Sequence, residues 1–330
     1  MTETCLTQPQ LKPLLTVEQQ IAHMKAKGIT FDLCGEDEAA VYLRDANNYL
    51  RAASYRKLYP RRIGGEHDRE YIGLDFQDLV ELSAIDRRLR EEVLSIVVDV
   101  EHFAKMRLLS RCEAEGEDGY SIVANYLASV SLGYRSRIEG SLERRAAPGA
   151  SHDEYSGDLI LRYRETGYPI WVLLEVVEFG VLVDLWRFCA DRWLDSRMRD
   201  EHFVLKSVKA VRNAVAHNSL VVNGFGTGAA RTGFQPSRLI SVSLNACGVK
   251  NTKSRRAKLS NLRMAQLAAT LWSLDEFCAR PSTRRRHAAR LAEVRKYAEG
   301  CGVLDRCGDG TASFFSFLWE LVDIWAPESA

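Results

Sequence analysis

Residues Asp75 to Glu115 contain neither glycine nor proline, and this uninterrupted stretch limits the possible folds more than any other feature of the chain. Within it Leu82, Ile85, Leu89, Val93, Ile96, Val100 and Phe103 recur at steps of three and four. That spacing places them on one buried face of an α-helix. A helix of this length extends about 60 Å, so it either kinks, with Asp86 the expected place, or spans its whole domain as one element.

The other segments read in the same way. Thr16-Val-Glu-Gln19 forms a capping box for a helix running to about Lys27, where Gly28 stops it. A second helical stretch covers Glu36 to Arg44, and Pro60 to Gly73 is a loop. Helices are expected over 119–129, 133–146, 153–166 and 170–177, and again from Val181 to Trp193 and from Arg197 to His217. Further helices are expected from Ala257 to Cys278, Thr283 to Ala298 and Ala312 to Trp325. Arg238 to Cys247 alternates loosely and reads as a short strand or an extended loop. Nothing alternates as strand, helix, strand, so the fold class is all-α. The expected division is a loose leader over 1–14, a helical domain over 15–225, basic helices over 226–298 packed on that domain, and a C-terminal helical extension over 299–330.

Charge is informative only locally. The chain carries a net charge of +1, but Arg231 to Lys296 holds 15 Lys and Arg against 3 Asp and Glu. A block this dense fits either a polyanion-binding surface or a solvated helix face. Eight cysteines are scattered without zinc-ligand spacing, and His67, His102, His152 and His202 show none either. Unpaired thiols without an export signal point to a reducing cytoplasm. No apolar run approaches the roughly 18–20 residues that cross a bilayer, so no membrane association is expected. Gly224-Phe-Gly226-Thr-Gly228 follows a helix instead of joining a strand to one, which argues against a phosphate-cradling loop, and no cofactor or metal is expected.

Attention then falls on Arg212-Asn-Ala-Val-Ala-His217. On a helical wheel Val204, Val208, Val211 and Val215 make the core stripe, and His217 falls almost opposite it, about 200° away. Asn213 shares the face of His217, being four residues before it. Arg212 lies on the shoulder of the stripe, about 140° from His217. Ala210 and Ala214 flank His217 and leave room for a second helix to cover that face, from this chain or from a second copy.

R-x-x-x-x-H is the motif of the HEPN superfamily. The chain also resembles the abortive-infection (Abi) proteins of the AbiD/AbiF type. Asn48-Tyr49, Tyr55-Arg56, Asp86-Arg-Arg-Leu-Arg90, Glu101 with Lys105, Pro169-Ile-Trp171, Glu175, Phe179-Gly180, Arg212-Asn213 and Ala216-His-Asn218 carry the resemblance in order. It implies a HEPN-like helical bundle, a homodimer with a composite Arg/His site, and metal-independent endoribonuclease activity in phage defence. Glu101 and Lys105 resemble a supporting E-x-x-x-[KR] pair, although the same spacing also makes an ordinary ion pair.

In that chemistry His217 moves protons, Arg212 stabilises charge on the phosphate, and Asn213 positions. Lys250, Lys253, Arg255, Arg256, Lys258, Arg284, Arg285 and Arg286 are the expected contacts to the RNA backbone. Trp272 fits either a base-stacking role or a core position, more naturally the core. The alternative function is a non-catalytic module that holds a structured non-coding RNA.

Overall fold

In the computed structural model, which describes residues 13–149, 152–226 and 231–328, the glycine-free stretch is one unbroken helix, Phe76–Ala114. Asp75 caps it by accepting from the Gln77 N–H at 2.9 Å, and Asp78 returns the bond to the Asp75 N–H at 3.0 Å. Leu82, Ile85, Leu89, Val93, Ile96 and Val100 are all buried in the expected register. Phe103 is only half-buried, and Ala104 takes the core position beside it. No kink forms at Asp86, whose carboxylate accepts from Arg90 one turn on in the same helix and from the Val221 and Val222 N–H groups.

The helices, in chain order, begin with α1 (Val17–Lys25), α2 (Glu36–Val41), α3 (Tyr49–Ala52), α4 (Phe76–Ala114), α5 (Ser121–Ser129) and α6 (Leu132–Ala146). There follow α7 (Gly157–Tyr163), α8 (Ile170–Val176), α9 (Phe179–Arg192), α10 (Ser196–Ala216) and α11 (Arg238–Ala246). The chain ends with α12 (Lys253–Leu259), α13 (Leu262–Phe277), α14 (Pro281–Gly300), α15 (Val303–Arg306) and α16 (Asp309–Trp325). The fold is all-α, and the described residues contain no strand, only the isolated bridges Thr30 to Asp75 and Arg61 to Tyr71.

At the centre α10 packs on α9, α13 and α4, while α13 also packs on α4 and α16. Two expectations are corrected here. Arg238 to Cys247 is helical: Ile240 and Leu244, one turn apart, point inward, and Ser237 caps the first turn through Leu239 N–H at 3.3 Å. Ala257 to Cys278 is two helices, because Asn261 accepts from the N–H groups of Arg263 and Met264 and restarts the chain as an N-cap. Trp272 is 4% exposed and belongs to the core, so the stacking role falls away. The expected 1–14 leader lies almost entirely outside the described residues, as does Gly228. No helix among the described residues is long and apolar enough to cross a membrane.

Candidate active site

The stretch that ends at His217 is built on α10. Val204, Val208, Val211 and Val215 are buried as the wheel requires, and Asp195 caps the start through Met198 N–H at 3.0 Å. The end is a six-residue closure. His217 donates its N–H to Asn213 O at 3.1 Å, Asn218 to Val215 O at 3.0 Å, and Ser219 to Ala214 O at 2.8 Å. This is a Schellman arrangement, and it requires Asn218 to sit in the left-handed region, with φ +58. After glycine, asparagine is the residue most used at such a left-handed helix end. The Asn following the motif histidine therefore has a backbone reason to be there.

A buried network holds this closure in place. Asp86 is fully buried and its Oδ1 accepts from the N–H groups of Val221 and Val222 at 2.7 and 2.6 Å. Its Oδ2 accepts from Arg90 Nε at 2.6 Å. Arg90 Nη1 then donates to both the carbonyl and the side-chain oxygen of Asn218, the former at 3.2 Å. Arg51 Nη2 adds a third bond, to Asn218 Oδ1 at 3.1 Å. Burial pushes the Asp86 carboxyl up, while the Val222 N–H, Arg90 and the Val221 N–H pull it back down. Asp86 and Arg90 are thus a structural pair, as four-residue spacing suggests, but the pair also clamps a segment 128 residues away. That reach was not visible in the sequence.

The titratable candidates divide between two sides of α10. Arg212 is half-buried, and the carboxyl of Glu101 on α4, raised overall by burial, feels its charge. Burial raises that carboxyl most, and Lys105, 3.7 Å away, opposes the burial together with Arg212. Glu101, Lys105 and Arg212 therefore form one charge cluster. Asn213 and His217 are exposed on a different side, and neither side chain makes a hydrogen bond or ion pair among the described residues. Arg212 acts on Glu101 through its charge alone, and it makes no bond to His217 within one chain.

The His217 ring is exposed, while α11 and the segment before it border the Phe203–Ala210 part of the same face. Phe203, Ala210 and His217, each seven residues apart, are all exposed and run as one stripe along α10, with Phe203 53% exposed. One turn before Asn213, Lys209 lies over Gly180 at the start of α9; a methyl group on Gly180 would sit 2.8 Å from the Lys209 Nζ. The glycine of the Phe179-Gly180 block therefore makes room for a lysine of α10.

The basic block does not form one surface. Arg255 is buried, and its guanidinium donates to Asn245 Oδ1 at 3.0 Å, to Val249 O at 2.5 Å and to Ser241 O at 3.2 Å. It is a fold residue, which corrects its place among the RNA contacts. Lys258 sits over the Phe317 ring at 5.3 Å, and burial pushes its ammonium down. Arg284 pairs with Asp275 at 3.1 Å and Arg286 with Asp99 at 2.5 Å. Beside the Arg286 pair lies His287, fully buried, with its ring nitrogens 2.5 Å from Glu92 and 2.7 Å from Asp99. The Arg286 and His287 bonds dock α14 on α4, the Arg284 bond ties it to α13, and together they spend much of the charge counted in the sequence. Lys250, Lys253 and Arg285 are exposed without an ion pair, and Arg256 bonds only the Asn251 carbonyl, at 3.0 Å. The α12 cations stand near the start of α13 and Arg284 near its end, about 20 Å apart by helical rise. Among the described residues no group of three or more His, Cys, Asp or Glu side chains is placed to hold a metal ion.

A family model described as Abi-like protein matches residues 42–223, more than half of the chain. The matched span holds the blocks from Asn48 to Asn218, including the Asp86–Arg90 pair and the whole of α10; it stops short of the basic block. No curated protein and no solved structure matches the chain.

Proposed function

The chain belongs to the Abi-like protein family, which points to a role in abortive infection, and from that premise we propose that it is a metal-independent HEPN-type endoribonuclease. The observation that carries the proposal is the state of His217. Its backbone is fixed by the Schellman closure and by the Arg90–Asn218 bonds, yet its ring is exposed and has no partner in the described chain. An imidazole held rigidly but left free to exchange protons suits acid–base work near neutral pH.

In this reading His217 takes the proton from a ribose 2′-hydroxyl, and the 2′-oxygen attacks the adjacent phosphorus. Arg212 stabilises the charge that gathers on the phosphate oxygens, with Glu101 and Lys105 setting its position. Asn213 orients the phosphate or the ring. The 5′-oxygen leaves with a proton from a second imidazole, so the products carry a 2′,3′-cyclic phosphate and a 5′-hydroxyl.

One copy alone separates Arg212 from His217, and a second copy lying along the exposed Phe203–Ala210–His217 stripe is the proposed means of completing the site. The partner chemistry is therefore RNA as substrate and a homodimer as the catalytic unit. The test is substrate chemistry. RNA should be cut to cyclic-phosphate ends, and the same oligonucleotide with 2′-O-methyl riboses should stay intact. Cutting of the methylated strand would rule out attack by the 2′-oxygen.

A further inference from the structure

Beside the face that presents His217 is a cavity of about 380 Å³ enclosed by α6, the α8–α9 turn and α10. Its charged lining is Arg137, Arg144 and Arg145 from α6, Glu178 from the turn, and Lys209 from α10, where Asn213 continues the wall towards His217. Four cations face one carboxylate.

They are not equally free. Arg145 is spent on the fold: its Nε pairs with Asp153 at 2.9 Å and its Nη1 donates to Val176 O at 2.5 Å. Arg137 lies over the Tyr134 ring at 4.7 Å, a contact that leaves its charge unneutralised. Arg144 is exposed without an ion pair, and Lys209 is half-buried without one. The Lys209 ammonium therefore carries a charge that no side chain pairs, and an anionic ligand can pair it. Gly180 leaves the space in which this ammonium lies. Gly180 and Val181, in the first turn of α9, line the same cavity, so the positive end of that helix adds to the potential of the cations.

We infer that this cavity is a backbone-phosphate subsite for a single RNA strand, gripped by Lys209, Arg137 and Arg144 and leading past Asn213 to His217. The inference rests on the ribonuclease reading for its choice of RNA. It differs from the basic block in location and in residues. Lys209, Asn213 and His217 follow one another at single-turn steps, so a strand held at Lys209 passes the imidazole within about 12 Å along the helix.

The test uses the full chain and a 2′-O-methyl oligoribonucleotide, which binds but offers no attacking hydroxyl. Affinity is measured across a salt series for wild type and for a Lys209→Gln, Arg137→Gln, Arg144→Gln triple variant, with thermal melts to establish folding. The triple variant is expected to bind at least about tenfold more weakly. Its log–log salt slope is expected to flatten by about 2, because each phosphate contact on a single strand contributes about 0.7. Wild-type affinity and slope in the folded triple variant, or no binding of the oligomer by wild type, overturns the subsite. Inorganic phosphate or a mononucleotide competing as tightly as the strand, per phosphate, overturns the choice of RNA. Should RNA cleavage prove independent of His217 while the triple variant still loses binding, the nuclease reading fails and the subsite stands.

Discussion

Arg90 donates to the backbone carbonyl of Asn218 at 3.2 Å, tying the middle of the longest helix to the residue that follows His217. Both members lie within the matched family span, and the bond links two of its sequence blocks physically. The first block supplies a clamp, and the second supplies the helix end that is clamped.

Breaking the clamp should be expensive. Arg90 and Asp86 have side chains only 9% and 0% exposed, so Arg90→Ala leaves a buried carboxylate without its cation. A loss of about 3–5 kcal/mol is expected, read from urea or thermal unfolding. Asp86→Ala should cost a similar amount by stranding the Val221 and Val222 N–H groups, and the double variant should cost much less than the sum. Additive losses would mean that the two residues do not act as one unit.

Asn218 separates backbone from side chain. Asn218→Gly keeps the left-handed turn and loses only the oxygen that Arg90 and Arg51 share. Asn218→Ala loses that oxygen and adds the left-handed penalty, about 1–2 kcal/mol. Denaturant midpoints should therefore rank wild type first, then glycine, then alanine. Alanine equal to glycine would contradict the Schellman closure.

His202 predicts the acid limb of stability. Its ring is buried on α10 and contacts Val183 O through Nδ1 at 3.0 Å; burial pushes its pKa down from the ordinary 6.5. A depressed value in the folded state means that its stability contribution is complete above pH 6.5 and is lost as pH falls through the folded pKa. Melting temperature should drop below that point in wild type, and His202→Gln should flatten the drop. An unchanged acid limb in His202→Gln would assign the loss to other groups.

The basic block should behave as two populations. Arg255→Ala removes a buried guanidinium from three acceptors and should destabilise by about 1–3 kcal/mol. Lys250→Ala, Lys253→Ala and Arg285→Ala should each stay within about 0.5 kcal/mol of wild-type stability. Their effect should appear in the salt dependence of RNA binding instead. Equal stability changes for all four would erase the distinction.

What the sequence disclosed follows the range of the forces involved. The register of α4 was legible because Leu82 through Val100 repeat at one period, and the outward turn of His217 followed from the same geometry on α10. The α11 segment was misread because Ile240 and Leu244 are too few inward residues to set a period against the alternation around them. Long-range partners were illegible: nothing near Asp86 signals Val221, and nothing near Lys209 signals Gly180 or the arginines of α6. A charge count likewise overstates a surface, since it cannot tell the carbonyl-bound Arg255 from the free Lys253.

The most direct measurement is cleavage of RNA by purified wild type, His217→Ala and Arg212→Ala, with rates and product ends determined side by side. His217→Ala should lose about 10²–10⁴ in rate, the range of a general acid–base group, and Arg212→Ala should fall comparably while both variants keep wild-type melting temperatures. Equal rates in all three, with the same product ends, would contradict a nuclease centred on His217.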